Sequence, residues 1–119
     1  MRIDIQSRGF QLTAALRNRI ERRLRFALGP AGARIRGVLV RLTDQNGPRG
    51  GIDKRCMIRA TLGPAPPILI RQEDYDLYVA IDHAAARLGR TVLRQLARLQ
   101  DHHPRRDAID GPATAARRA

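Results

Sequence analysis

"VLVRLTDQNGPRGGIDKRCMIRATLGPAPPILIRQ", residues 38–72, contains three apolar runs of period two, separated by two stretches that favour turns. In the first run, which begins within "RIRGVLVRLT", Val38, Val40 and Leu42 share one side. In the second, "IDKRCMIRATL", Ile52, Cys56, Ile58, Ala60 and Leu62 share one side, and Lys54 interrupts the row near its start. "ILIRQ" is the third. Asp44 to Gly51 is dense in turn formers, with Asn46-Gly47 the strongest local signal, so the first two runs are expected to form a hairpin. "GPAPP", Gly63 to Pro67, is a stiff break, because its three prolines forbid both a helix and a central strand.

Working outward, the N-terminal "MRIDIQSRGF" alternates Ile3 and Ile5 with Arg2, Asp4 and Gln6, the pattern of a half-buried strand. The period then changes: in "LTAALRNRIERRLRFAL", Leu16, Ile20, Leu24 and Ala27 fall on one helical face, Thr13 is placed to cap the first turn, and Gly29-Pro30 and Gly32 stop the helix. Beyond the last strand, Asp74 or Asp76 can begin a second helix, where a carboxylate meets unpaired N–H groups. Its apolar row is Leu77, Ile81, Ala84, Leu88, Val92 and Leu99, with Gly89 costing about 1 kcal/mol relative to alanine. From Asp101, "DHHPRRDAIDGPATAARRA" contains Pro104, Gly111 and Pro112 and few large apolar residues, so 101–119 is expected to be a disordered basic tail. The expected fold is α+β, in the order β-α-β-β-β-α. It is a four-stranded sheet formed within residues 1–100, with two helices packed on one face so that both apolar rows share a core. The other sheet face is left to solvent or a partner.

At 119 residues the chain is the size of one domain, and 43% hydrophobic with 29% charged residues is the composition of a folded protein. The charge is unusual: 23 Lys+Arg against 11 Asp+Glu give a formal net charge of +12 and a pI near 11.7. Self-repulsion of this size points to an acidic partner: nucleic acid, an anionic membrane or an acidic protein. Lys54 is the only lysine, and arginine is the better residue for bidentate contact with phosphate. Cys56 is alone, which excludes an internal disulfide and suits a reducing compartment. No apolar run approaches the roughly 18 residues of a membrane span, and the N-terminus lacks a signal-peptide pattern. The chain reads as cytoplasmic.

"RLGRTVLRQLARLQ", Arg87 to Gln100, carries the strongest functional signal. At about 100° per residue, His83, Arg87, Arg90, Arg94 and Arg98 fall within an arc of roughly 80°, centred about 130° from the apolar row. Arginines four residues apart repel one another, so an outward stripe of them suits a helix that meets a polyanion. Asp82 lies outside the stripe. On the first helix, Arg19, Arg22 and Arg23 occupy one flank, and with the helices side by side the two sets would line a single basic surface for phosphates. Aromatic residues are only 3%, and none of Phe10, Phe26, Tyr75 and Tyr78 falls in an expected strand. Recognition through backbone charge and shape, as on structured RNA, therefore fits better than a stacking sheet.

The segment "IDIQSRGFQLTAALRNRIERRL" resembles the first strand and helix of the ribosome hibernation-promoting factors, or ribosome-associated inhibitors, which typically read L-T-x-A-L at the helix start. "EDYDLYVAIDHAAARLGRTVLRQL" is similar to their second helix, with Tyr78, Ala80, Ile81, Asp82, Arg87, Leu88, Arg90 and Arg94 on matching positions. The likeness runs from about Met1 to Gln100 and implies the same β-α-β-β-β-α fold. It also implies binding to the small ribosomal subunit where messenger and transfer RNA would lie, with no catalysis and no cofactor. Arg22, Arg23, Arg87, Arg90 and Arg94 would contact ribosomal RNA. Long members add a C-terminal domain that pairs two ribosomes; the resemblance here is to the short form, expected to be monomeric off the ribosome. The loop "DQNGPRGGIDKRC" is richer in glycine and basic residues than the family's usual hairpin, leaving open whether Arg49, Lys54 and Arg55 reach RNA or simply turn the chain.

Enzymatic chemistry finds no support. His83, His102 and His103 make no familiar zinc spacing with Cys56. Cys56 reads as a small core residue, and "GPRGG" lacks the Gly-Lys-Ser/Thr ending of a phosphate loop. Glu73 and Asp74 read as a helix start rather than an acid/base pair. No cofactor, metal or small-molecule substrate is expected. Two other readings compete with the ribosomal one: a general binder of structured RNA or DNA, and a basic subunit docking on an acidic protein. A membrane surface fits less well, because the helices' apolar rows are committed to the sheet.

Overall fold

The computed structural model describes residues 1–45 and 53–107, with side chains described to residue 99. Its elements are β1 (Arg2–Arg8), α1 (Ala14–Leu28), a 3-10 helix (Gly29–Arg34), β2 (Gly37–Asp44), β3 (Lys54–Thr61), β4 (Ile68–Asp74) and α2 (Leu77–Asp107). The four strands form one sheet in the order β1-β2-β3-β4. β1 runs parallel to β2, and α1 supplies the crossover that a parallel pair requires. β2 pairs antiparallel with β3, and β3 with β4. The expected β-α-β-β-β-α order and the two helices on one sheet are both present.

The register shows why one face is the core. Ile5 lies opposite Val40, Val40 opposite Ile58, and Ile58 opposite Ile70, a row of β-branched side chains across all four strands. Over this face, Leu16, Ile20, Leu24 and Leu28 of α1 and Ala80, Ile81, Ala84, Ala85, Leu88 and Val92 of α2 join Val38, Leu42, Cys56 and Ala60 in a single buried cluster. Burying each such Leu, Ile or Val contributes roughly 1.5–3 kcal/mol. In α1 the fourth buried position is Leu28; the expected Ala27 is half-buried on the flank that meets α2.

Local signals set the boundaries. The Leu16 N–H donates to Thr13 Oγ1 at 3.1 Å, and Gly29, with φ of 54°, ends α1 by donating its N–H to the Arg25 carbonyl. Both proposed starts of α2 contribute: the Tyr78 N–H donates to Asp76 Oδ1 at 2.8 Å, and the Asp76 N–H to Asp74 Oδ1 at 3.0 Å. α2 continues seven residues past Gln100, through Pro104, where the missing N–H leaves one rung of the helical ladder unmade. Residues 108–119 of the expected tail lie outside the described residues. At about 1.5 Å per residue the 31 residues of α2 span about 46 Å, against about 25 Å for the strands beneath. Leu99, counted in the apolar row, has therefore run past the sheet and is 48% exposed.

Residues 46–52 of the expected hairpin, including Ile52, lie outside the described residues. The pairing on either side fits a hairpin: Asp44 is opposite Lys54, and the Gln45 N–H donates to the Asp53 carbonyl at 3.2 Å.

Candidate RNA-binding surface

α2 packs its apolar row against the sheet and keeps the opposite face in water, so His83, Arg87, Arg90, Arg94 and Arg98 are all exposed. Their immediate surroundings differ. Arg87 reaches back over β4, its Nη1 donating to the Arg71 carbonyl at 2.7 Å and to Gln72 Oε1 at 2.9 Å. Arg94 Nη2 donates to Thr91 Oγ1 at 3.4 Å, a hydroxyl that itself donates to the Arg87 carbonyl. Neither contact removes charge.

On α1, Arg22 is exposed and lies about 180° from the centre of the buried row. Arg19 and Arg23 face α2 instead. Arg19 Nη2 donates to Asp82 Oδ2 at 2.9 Å, and Arg23 Nε stands 3.1 Å from Asp82 Oδ1 at an angle too poor for a hydrogen bond. Arg19 also lies over the Tyr78 ring, 5.0 Å from its centroid, and Arg23 near Phe26 at 6.0 Å. One carboxylate thus serves two guanidinium groups, so this cluster keeps a net positive charge. Between the helices runs a groove of about 270 Å³ whose lining includes Arg23 and Phe26 from α1 and Gly89, Arg90 and Leu93 from α2. Of the two basic sets expected from the sequence, Arg23 and Arg90 meet at this groove, whereas Arg87, Arg94 and Arg98 lie on the flank of α2 away from α1, where Arg87 reaches over β4.

Lys54 and Arg55 are placed elsewhere. Lys54 has its ammonium 3.1 Å from Asp53 and 3.3 Å from Asp44; these hydrogen bonds, the one to Asp53 foremost, raise its pKa. It pins the base of the β2–β3 connection. Asp53, buried beside it, went unnoticed in the sequence because its role depends on this pairing. Arg55 projects on the sheet face away from the helices, its Nη2 2.8 Å from Glu73 of β4.

That open sheet face is itself basic, which the sequence reading passed over. The outward positions of the four strands hold Arg2, Arg8, Arg41, Arg55, Arg59 and Arg71 against Asp4 and Glu73. The signal lay in the polar phase of each period-two run, where only the apolar phase had been followed. Cys56 is fully buried, and burial pushes its thiol up to about 12, which makes it a core residue and no nucleophile. Among the described residues no group of three His, Cys, Asp or Glu side chains could hold a metal ion. No helix among them is long and apolar enough to cross a membrane.

No curated protein matches the sequence. Among solved structures, the fold is similar to a ribosomal subunit interface protein from Coxiella burnetii, with 21% identity, a TM-score of 0.70, and coverage of 82% of this chain and 99% of that one. It is also similar to the N-terminal domain of Protein Y from Thermus thermophilus, with 28% identity, a TM-score of 0.64, and coverage of 79% and 98% respectively. A family model described as Sigma 54 modulation protein / S30EA ribosomal protein matches residues 3–100, from β1 through most of α2, and the chain belongs to that family.

Proposed function

We propose that this protein associates with the small ribosomal subunit, binds its ribosomal RNA near the messenger and transfer RNA channel, and inhibits or protects idle ribosomes. Residues 1–100 form the binding unit, acting as a cytoplasmic protein that is monomeric off the ribosome. The observation that carries the reading is that Arg22 and Arg90 stand on the outward side of two neighbouring helices and Arg94 and Arg98 continue from Arg90 along the outer flank of α2, all exposed and in no ion pair among the described residues. Their charge is available to phosphates, and membership of an S30EA ribosomal protein family supplies the polyanion. Arg19, Arg23 and Arg87 support the same face from its flanks, while Lys54 and Arg55 are left out of it.

Sucrose-gradient sedimentation with purified small subunits, using a free RNA duplex as competitor, tests the proposal. The expected result is cosedimentation at low salt that survives excess duplex and is lost at high salt. Changing Arg22, Arg90 and Arg94 together to glutamine is expected to weaken association at least tenfold with the fold unchanged. A protein left at the top of the gradient at low salt rejects the reading. The basic open sheet face favours a second reading, a general binder of structured nucleic acid, and ready displacement by the duplex would establish that one instead.

A further inference from the structure

We propose that the groove between α1 and α2 is a subsite for one unpaired nucleobase of RNA, held between Phe26 and Leu93 with Arg23 and Arg90 at its rim. The inference rests on the reading that the helix face binds RNA, and names what that face recognises beyond phosphate.

The groove is open because the helix backbones meet beneath it. A Cβ on Gly89 would stand 2.6 Å from the Ala27 carbonyl oxygen, so the contact is made by the smallest residues and no side chain of the protein fills the space above. Its walls are unusual for a protein surface. Phe26 is 81% exposed and Leu93 58%, although both follow the helix flanks that face the groove rather than a loop. At about 270 Å³ the space falls just short of the roughly 300–1,000 Å³ of drug-sized ligand pockets, which suits one flat ring system better than an extended ligand.

The chemistry of the rim selects the occupant. Arg90 is in no ion pair among the described residues, and Arg23 shares Asp82 with Arg19. Two guanidinium groups beside an apolar slot favour an occupant that carries acceptors and negative charge over an aliphatic side chain from another protein. A nucleotide answers all three features at once: an apolar base face for Phe26 and Leu93, an acceptor-bearing edge for one guanidinium, and a phosphate across the ribose for the other. A base inside a duplex is already stacked on both sides, so the subsite selects a bulged, looped or flipped base. Exposed Phe26 thus supplies the stacking surface that the strands lack.

Chemical probing of small subunits separates this inference from the one beneath it. Base-specific methylation and carbodiimide modification report on the edges of unpaired bases, and hydroxyl-radical cleavage reports on the backbone. With the wild-type protein at least one unpaired base is expected to be protected. With Phe26→Ala the backbone footprint persists, affinity falls about tenfold, as for the loss of one stacked base, and that base becomes reactive again. Phe26→Tyr is expected to keep the protection. An intact backbone footprint with identical base reactivity for wild type and Phe26→Ala overturns the proposal. A weaker Phe26→Ala protein with unchanged base reactivity also overturns it, since the groove would then hold a side chain of a ribosomal protein. Absence of any footprint from the wild-type protein would reject RNA binding by the helix face, and the subsite with it.

Discussion

Asp82 makes two arginines compatible with a close helix pair. Arg19 and Arg23, one turn apart on α1, would repel across the interface with α2 if its carboxylate did not stand between them. The Arg19 and Asp82 side chains remain 39% and 26% exposed, so solvent screens much of the attraction. A double-mutant cycle of Arg19→Gln with Asp82→Asn in urea unfolding is expected to give a coupling of about 0.5–1 kcal/mol, and no coupling would show the pair to be incidental. Alkaline stability is set by Lys54 and Cys56, whose pKa values are both raised in the folded state. Each contributes stability that is full below its unfolded pKa and is lost as pH rises through the folded one. For Cys56 the loss begins near pH 9 and runs to about pH 12. The urea midpoint is expected to hold steady between about pH 7 and 9 and to fall above that. Cys56→Ala, despite its small cavity, should show a shallower fall; parallel curves would exclude the thiol as a cause.

Gly89 shows how an element can be misread one helix at a time. By helix propensity alone it weakens α2, and Gly89→Ala should stabilise the protein by about 1 kcal/mol. The packing reverses the sign, because the added Cβ meets the Ala27 carbonyl oxygen at 2.6 Å and backbone cannot swing aside. Overpacking of this kind costs about 1–3 kcal/mol, which set against the propensity gain of about 1 kcal/mol leaves an expected net destabilisation of up to about 2 kcal/mol by urea denaturation. A more stable variant would show that the helices separate freely. The same contrast marks what was legible in the sequence. Period-two runs, Thr13, Gly29 and the Asp74–Asp76 pair announce strands and helix ends through local chemistry, and the structure places those elements where the pattern does. Leu99 and Ala27 were misjudged because burial there depends on where the sheet ends and which flank a neighbouring helix covers. The arginine stripe of α2 was legible for the same reason as its apolar row. The pairing of Lys54 with Asp44 across the hairpin requires the strand register, which no local pattern encodes, whereas the place of Arg55 on the opposite sheet face follows from its position next to Cys56 in a period-two run.

At the scale of the whole molecule, the described residues carry arginines on both faces of one sheet-and-helix slab, and the formal net charge of +12 cannot say which face meets a polyanion. Counterion release can, because only arginines that neutralise phosphate contribute to the salt dependence of binding. Two triple variants share the same formal charge, 12 − 3 = +9, and differ only in where the charge is removed. One replaces Arg22, Arg90 and Arg94 on the helix face with glutamine; the other replaces Arg41, Arg59 and Arg71 on the open sheet face. Long-range steering is reduced about equally in both, so it cancels in the comparison. In a plot of log affinity for small subunits against log salt concentration, the helix-face variant is expected to lose roughly 0.7–0.9 of slope per arginine, about 2–3 in all. The sheet-face variant should lose less than about one. Equal losses would mean that phosphates approach both faces, which a protein docked by its helices alone does not permit. The converse, a loss confined to the sheet-face variant, would turn the molecule over and leave the stripe on α2 as a solvated flank.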